Sequence, residues 1–418
     1  MVASFTKNTV PRAAALLLVL GSLLGCMDRG IGELYKEEQF SLSLGRMEDQ
    51  VDLFQPDGDV MKGKNAVFMR DGVFYVANGN AGKIMVFSSY GDLIFLLYNP
   101  ADNPQPVSLN VEAGVVSTRE AVAYPFNDLG EIAVDGEKNL YVDDLAPEAN
   151  IQTDASTGVQ LDRMVQCFDR KGRHVASLGQ EGVGGTPFPF ITAMHVTAKD
   201  QLVVVCRAAT RWQVFWYSKG GMLLYRWEIN PAKPPFRVDP GVTPSLECIF
   251  PDMQEPVLHV MFHLFREVSA KSKAAGNAAS GTASGTAYGI ENFSSRIYRI
   301  DVRTGKVDSM VEMPKAAIRK EKLQLKTVEV PGPAGELMGV SAKGFYYLMG
   351  YSDSNLYTLS VMEPQGHVRE RRYVVIEDSE LTFRDLRLTS TGLLYGLLCD
   401  SRRAHIVWWR SDSLLKGE

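Results

Sequence analysis

The sequence predicts an all-β protein, a six-bladed β-propeller closed by an N-terminal strand that completes the last blade. Three observations predict it. Four-strand units rich in Val, Ile, Leu, Phe and Tyr recur along the chain. A glycine-containing turn returns at one place in those units. The last unit lacks a strand, and a segment near the N-terminus can supply it.

The first unit is DGVFYVANGNAGKIMVFSSYGDLIFLLY, residues 71–98. The second is LGEIAVDGEKNLYVDD, 129–144, resumed after an insertion as DRMVQCFDRKGRHVASLG, 162–179. The third is residues 191–229. Weaker units follow: Leu246 to Met313, Leu337 to Ile376, and a sixth from about Arg384. The turn between third and fourth strands is Ser89-Tyr90-Gly91, Arg170-Lys171-Gly172, Ser218-Lys219-Gly220, Arg303-Thr304-Gly305 and Pro364-Gln365-Gly366. Glycine recurs because a tight hairpin needs one residue at positive φ. The sixth unit has three strands, and Phe40-Ser41-Leu42-Ser43-Leu44-Gly45 reads as its fourth. Closure of that kind removes exposed sheet edges.

With strands lettered a to d from channel to rim, d–a and b–c connections share one face, and a–b and c–d turns share the other. The long connections, residues 99–128, 145–162, 230–245, 266–293 and 314–336, are all of the first kind. Variable loops on one face of a rigid scaffold are where function concentrates. The stretch 269–289, SAKSKAAGNAASGTASGTAYG, is expected to be a flexible loop, because it has too little apolar surface to order itself.

The N-terminus reads as an export leader. Lys7 and Arg12 precede an apolar run, Ala13 to Leu24, too short to span a bilayer. Leu23-Leu24-Gly25-Cys26 resembles a bacterial lipobox. That resemblance implies cleavage after residue 25, diacylation of Cys26, a tether over 26–38 and a propeller over 39–418. Loss of Lys7 and Arg12 moves the formal charge from −5 to −7. That balance argues against nucleic acid as a partner. Membrane attachment then rests on Cys26, since no later segment is long and apolar enough to span.

The repeats resemble NHL-type repeats, most clearly over residues 64–229. The whole chain, leader included, resembles an uncharacterised family of spirochaete envelope lipoproteins. The resemblance implies a periplasmic or surface propeller and no known reaction; a monomer is expected. The NHL pattern has an Asp after the second strand. Asn78 and Asp144 stand there, while Cys206, Met349 and Leu397 replace it later.

Catalytic signals are sparse. His259 and His263 would share one face of a strand, about 13 Å apart, too far for one metal. Asp143 and Asp144, with Glu148 and Asp154, offer hard oxygens that suit calcium, but the spacing is not that of an EF-hand. They read rather as solvated acids at the channel rim, with Asp144 as a loop hydrogen-bond acceptor. Gly179 to Gly185 reads as a connector between blades, since no helix follows. Cys167, Cys206, Cys248 and Cys399 have no metal-ligand spacing and read as buried free thiols. Of Trp408 and Trp409, neighbours on a strand, one should face outward. No cofactor or metal is expected. The candidate binding residues are Asp143, Asp144 and Asn78. The expected function is binding of an envelope protein or polymer through the loop-rich face. The alternatives are a lyase or hydrolase with a metal in the channel, and carbohydrate or small-ligand binding at the channel mouth.

Overall fold

A computed structural model describes residues 31–53, 63–107, 109, 119–270, 287–315, 318–323, 326–331, 335–353 and 355–415. Six antiparallel sheets form the blades. Strands a to d are Ala66–Arg70, Val73–Asn78, Lys83–Phe87 and Leu93–Tyr98 in blade 1. Blade 2 has Leu129–Val134, Leu140–Leu145, Arg163–Phe168 and His174–Gly179, and blade 3 has Phe190–Val196, Leu202–Arg207, Trp212–Tyr217 and Leu223–Ile229. Blade 4 has Val242–Pro251, Val257–Ala270, Ala287–Asp301 and Val307–Glu312. Blade 5 has Glu336–Val340, Tyr346–Asp353, Leu356–Met362 and Val368–Val375. Blade 6 has Phe383–Leu388, Leu394–Cys399 and Arg403–Trp409, and Lys36–Ser43 pairs beside the last of these to complete it.

Six apolar clusters account for the packing, one at each blade–blade interface. Phe74, Val76 and Met85 of blade 1 meet Tyr395, Leu397 and Ile406 of blade 6, for example. Leu42 of the closing strand sits in that same cluster. The strand therefore supplies backbone pairing to blade 6 and apolar burial against blade 1 together.

The c–d glycines take the left-handed backbone the turn needs: Gly91 φ 84, Gly172 φ 72, Gly305 φ 67 and Gly366 φ 95. In blade 3 the residue at positive φ is Gly221 (φ 78), one place beyond the expected Gly220. Strand also begins before the expected start of the propeller at residue 39. Lys36–Ser43 is strand, and Gly32–Glu33 adds in parallel to the outer strand of blade 5. Ladder pairing uses backbone groups, so an outermost strand tolerates the charged Lys36, Glu37 and Glu38. Residues 1–25 and Cys26 lie outside the described residues.

The five long connections leave on one face, and most carry structure of their own. Glu120–Ala123 pairs in parallel with strand d of blade 1. Gln152–Thr153 pairs with Gln160–Leu161, and Ile318–Leu323 with Lys326–Pro331. The expected loop 269–289 begins later than its composition indicated, because the blade 4 ladder continues to Ala270↔Ala287. The rest of it lies outside the described residues. Gly182–Val183, inside the glycine-rich connector, adds a short fifth strand to blade 2.

Candidate functional site: the channel and its loop-face mouth

The six a strands form the inner ring. On one side, blades 6, 1 and 2 tie it shut with charge. Glu131 on strand a of blade 2 pairs with Lys64, just before strand a of blade 1, and with Arg387 of blade 6 at 2.7 Å. Arg387 also holds Asp385 at 2.9 Å, and Asp385 accepts the Val67 backbone N–H at 2.8 Å. Burial pushes the Glu131 carboxyl up, but Arg387 and Lys64 more than offset it, and its value lies below the usual range.

Asp143 and Asp144 are not solvated rim acids. Both are buried, at 3% and 2% exposure. Asp143 pairs with the Arg163 Nε at 2.7 Å, and Arg163 reaches Asp128 at 2.9 Å. The acids turn inward because strand a bulges between Leu129 and Ile132, and Gly130 leaves room beside them. A Cβ at Gly130 would stand 1.9 Å from Asp143 Oδ2. Asp144 accepts the backbone N–H groups of Asn127 (3.0 Å) and Asp128 (2.8 Å), the segment entering blade 2. Burial pushes both carboxyls up to about 6.

Asn78 does the same work in blade 1. Its Oδ1 accepts the Asp52 N–H at 2.8 Å, and its Nδ2 donates to the Asp52 carbonyl and to Asn65 Oδ1, both at 2.8 Å. The Asp/Asn position of the repeat thus catches the chain as it enters a blade.

The opposite side of the ring, blades 3 to 5, is built differently. Single-residue bulges in strand a fall at Thr192 and Glu247, in register with the Gly130–Glu131 bulge of blade 2, and nearer the end of the strand at Met338 in blade 5. Such bulges re-aim side chains and gather next to sites. His195 lies three residues beyond Thr192 and packs on Phe250 of blade 4, ring centroids 5.1 Å apart. Burial, with Arg387 adding to it, lowers His195 to about 4, so its imidazole is neutral at pH 7. Its Nε2 is buried with no hydrogen-bond partner among the described residues. Sequence reading passed over His195 and Glu131 because their partners come from other blades, far away in the chain.

His259 and His263 serve the fold. His259 Nδ1 sits 3.0 Å from Tyr346 Oη, and His263 Nδ1 2.7 Å from Ser295 Oγ. Among the described residues no group of three or more His, Cys, Asp or Glu side chains is placed to hold a metal.

Comparison with solved structures returns matches at low identity. A solved ulvan lyase of a polysaccharide lyase family superposes with TM-score 0.42 and 11% identity, covering 90% of this chain and 96% of that one. A Dos1 propeller gives 0.38 at 8% identity, with 90% and 95% covered. A streptogramin B lyase gives 0.36 at 8%, with 90% and 97% covered. No protein-family model and no curated protein matches the sequence.

Proposed function

We propose that this chain is a lipid-anchored envelope protein, NHL-like in its repeats, whose propeller binds an envelope protein or polymer through its loop-rich face. The observation that supports the reading is the one-sided placement of the five long connections, against short a–b and c–d turns throughout. A rigid ring with elaborated loops on one face is a recognition scaffold. The acids on the blade 6–1–2 side are spent on internal ion pairs, which suits a structural rather than a catalytic role for them. The protein acts as a monomer, without a cofactor, at a bacterial membrane to which acylated Cys26 ties it.

Crosslinking pull-down from native membranes tests the binding face. Replacing residues 145–162 with a short turn should change the captured set, whereas Tyr90→Ala and Lys171→Glu on the c–d face should not. The opposite pattern would assign function to the other face. Metabolic labelling with a fatty acid tests the anchor: Cys26→Ala should abolish label and release the protein from membranes. Label retained on that variant refutes the anchor.

A further inference from the structure

The described chain enters along the outer edge of blade 5. Gly32–Glu33 lies in parallel beside strand Val368–Val375, with Gly32 opposite Arg372 and Glu33 opposite Tyr373. Every d strand runs from its c–d turn toward the loop-rich face, so a parallel neighbour arrives from the c–d side. An open groove of about 570 Å³ lies at that point, lined by Ile31, Gly32 and residues 368–372. Arg369 pairs with Glu363 at 3.1 Å and Arg372 with Glu370 at 2.7 Å. The Arg371 side chain is exposed and has no ion-pair partner among the described residues. Three guanidiniums against two carboxylates leave one positive charge beside the groove. Past the other end of the strand the sign reverses. Glu377 pairs with Lys36 and Asp378 with Arg384, but the exposed Glu380 carboxylate has no partner among the described residues. Ile31 and Tyr35, on the entering segment, are 39% and 73% exposed.

On the reading that acylated Cys26 ties the chain to a membrane, we propose that this groove docks on anionic phospholipid headgroups, so that the propeller rests on the bilayer by the c–d side of blade 5 and turns its loop-rich face away. Cys26 precedes Ile31 by five residues. An extended chain spans at most about 3.6 Å per residue, so the groove lies within about 18 Å of the anchored residue. A headgroup phosphate matches a guanidinium by paired N–H donors, and Arg371 has all of its side-chain donors free. Ile31 and Val368 give the groove an apolar part to set against the acyl boundary. Tyr35 suits the headgroup level, where tyrosine rings concentrate at membrane surfaces. One cation near an anionic leaflet is worth about a fivefold preference, and Glu380 disfavours the inverted pose in the same direction. The chain as a whole carries a charge of −5, so the contact orients the protein and does not anchor it. A single surplus charge suffices for that because the lipid already holds the groove at high local concentration.

The test places the acylated mature protein in vesicles of phosphatidylcholine, alone or mixed with phosphatidylglycerol, and reads hydroxyl-radical oxidation of exposed side chains by mass spectrometry. Tyr35 should be protected several-fold on the anionic vesicles relative to the neutral ones. Phe190 and Ile290, 67% and 78% exposed on the loop-rich side, should oxidise alike on both. Arg371→Gln should lower the ratio of docked to undocked protein about fivefold, Arg371→Lys should keep it, and high salt should abolish it. Arg371 is exposed, so these variants should melt at the parental temperature, which separates lost docking from lost fold. Protection of Phe190 and Ile290 in place of Tyr35 overturns the proposal. So does equal protection on both lipids, or protection indifferent to Arg371→Gln; in each case an acyl chain found on Cys26 leaves the anchor standing. If protein from native membranes carries no acyl chain, the anchor reading falls instead. The chain coupled through its Cys26 thiol to a maleimide lipid then decides the groove by the same readout.

Discussion

Removing the Asp143 carboxylate should cost the protein about 3 kcal/mol, although the sequence placed that residue among solvated acids. The change to Ala leaves the Arg163 guanidinium, itself 8% exposed, without its 2.7 Å partner. Breaking one member of a buried ion pair costs about 3–5 kcal/mol, mostly from the charge left behind. The low end applies because Arg163 keeps the Asp128 carboxylate and carbonyl, both at 2.9 Å. Burial lowers the Arg163 value, but Asp143 and Asp128 more than offset it, so the guanidinium stays charged and cannot escape the penalty by losing its proton. Unfolding entropy is about 2.1 cal/mol/K per residue, or about 0.9 kcal/mol/K for the 418-residue chain. A 3 kcal/mol loss therefore lowers Tm by only about 3–4 °C. Denaturant unfolding followed by circular dichroism measures the free energy more directly. Asp143→Ala combined with Arg163→Met should recover much of the loss, because an apolar chain replaces the stranded charge. If Asp143→Ala costs less than about 1 kcal/mol, and the second change recovers nothing, the carboxylate faces water and the internal pair is not formed.

Other expectations follow from the same geometry. A chain starting at Gly45 lacks both Leu42 and the strand paired to Arg403–Trp409, so it should melt well below the parental protein; equal melting temperatures would disprove closure by this strand. His195 is held near 4 against 6.5 for the ordinary side chain, so below about pH 6.5 the unfolded chain takes up a proton that the fold refuses. Stability should fall as pH drops from 6.5 toward 4, by at most about 3 kcal/mol from this residue, and the difference between parent and His195→Gln profiles should show that slope. Parallel profiles would remove His195 from the buried channel wall. Burial pushes the Cys167 and Cys399 thiols up to about 12 and Cys206 well above its ordinary value, so in a Cys26→Ala background these three should titrate with a thiol reagent only after unfolding. A fast-reacting thiol among them in the native protein would contradict the burial.

The parts of this fold that were legible in the sequence are the local ones. A hairpin that needs positive φ advertises itself as Gly91, Gly172 or Gly366, and a strand buried on both faces as a run such as LVVVC. Closure was legible because a missing strand and a spare strand are both visible in one chain. The fate of charged residues was not. Asp143 carries the same composition signal whether it faces water or Arg163. What decides between the two is a bulge in strand a and the absence of a Cβ at Gly130, neither of which has a periodic signature. The low-complexity stretch failed in the other direction. Its composition pointed to a loop from Ser269, but a ladder already under way between Val257 and Asp301 carries weak strand formers with it as far as Ala270.

Degeneration of the repeat explains why the two halves of the channel differ. In blades 1 and 2 the position at the end of strand b keeps a polar side chain, and Asn78 and Asp144 use it to pin the incoming segment. In blades 3, 5 and 6 the position holds Cys206, Met349 and Leu397, all buried and apolar, which strengthen the interfaces between blades and pin nothing. Blade 6 compensates with Asp385, which catches the backbone of blade 1, and Arg387, which reaches Glu131 beyond it. Blades 3 and 5 have no such substitute from their inner strands, where Thr192 and Met338 occupy the bulges. A clamp lost from a symmetric ring frees the groups at that point from a structural duty.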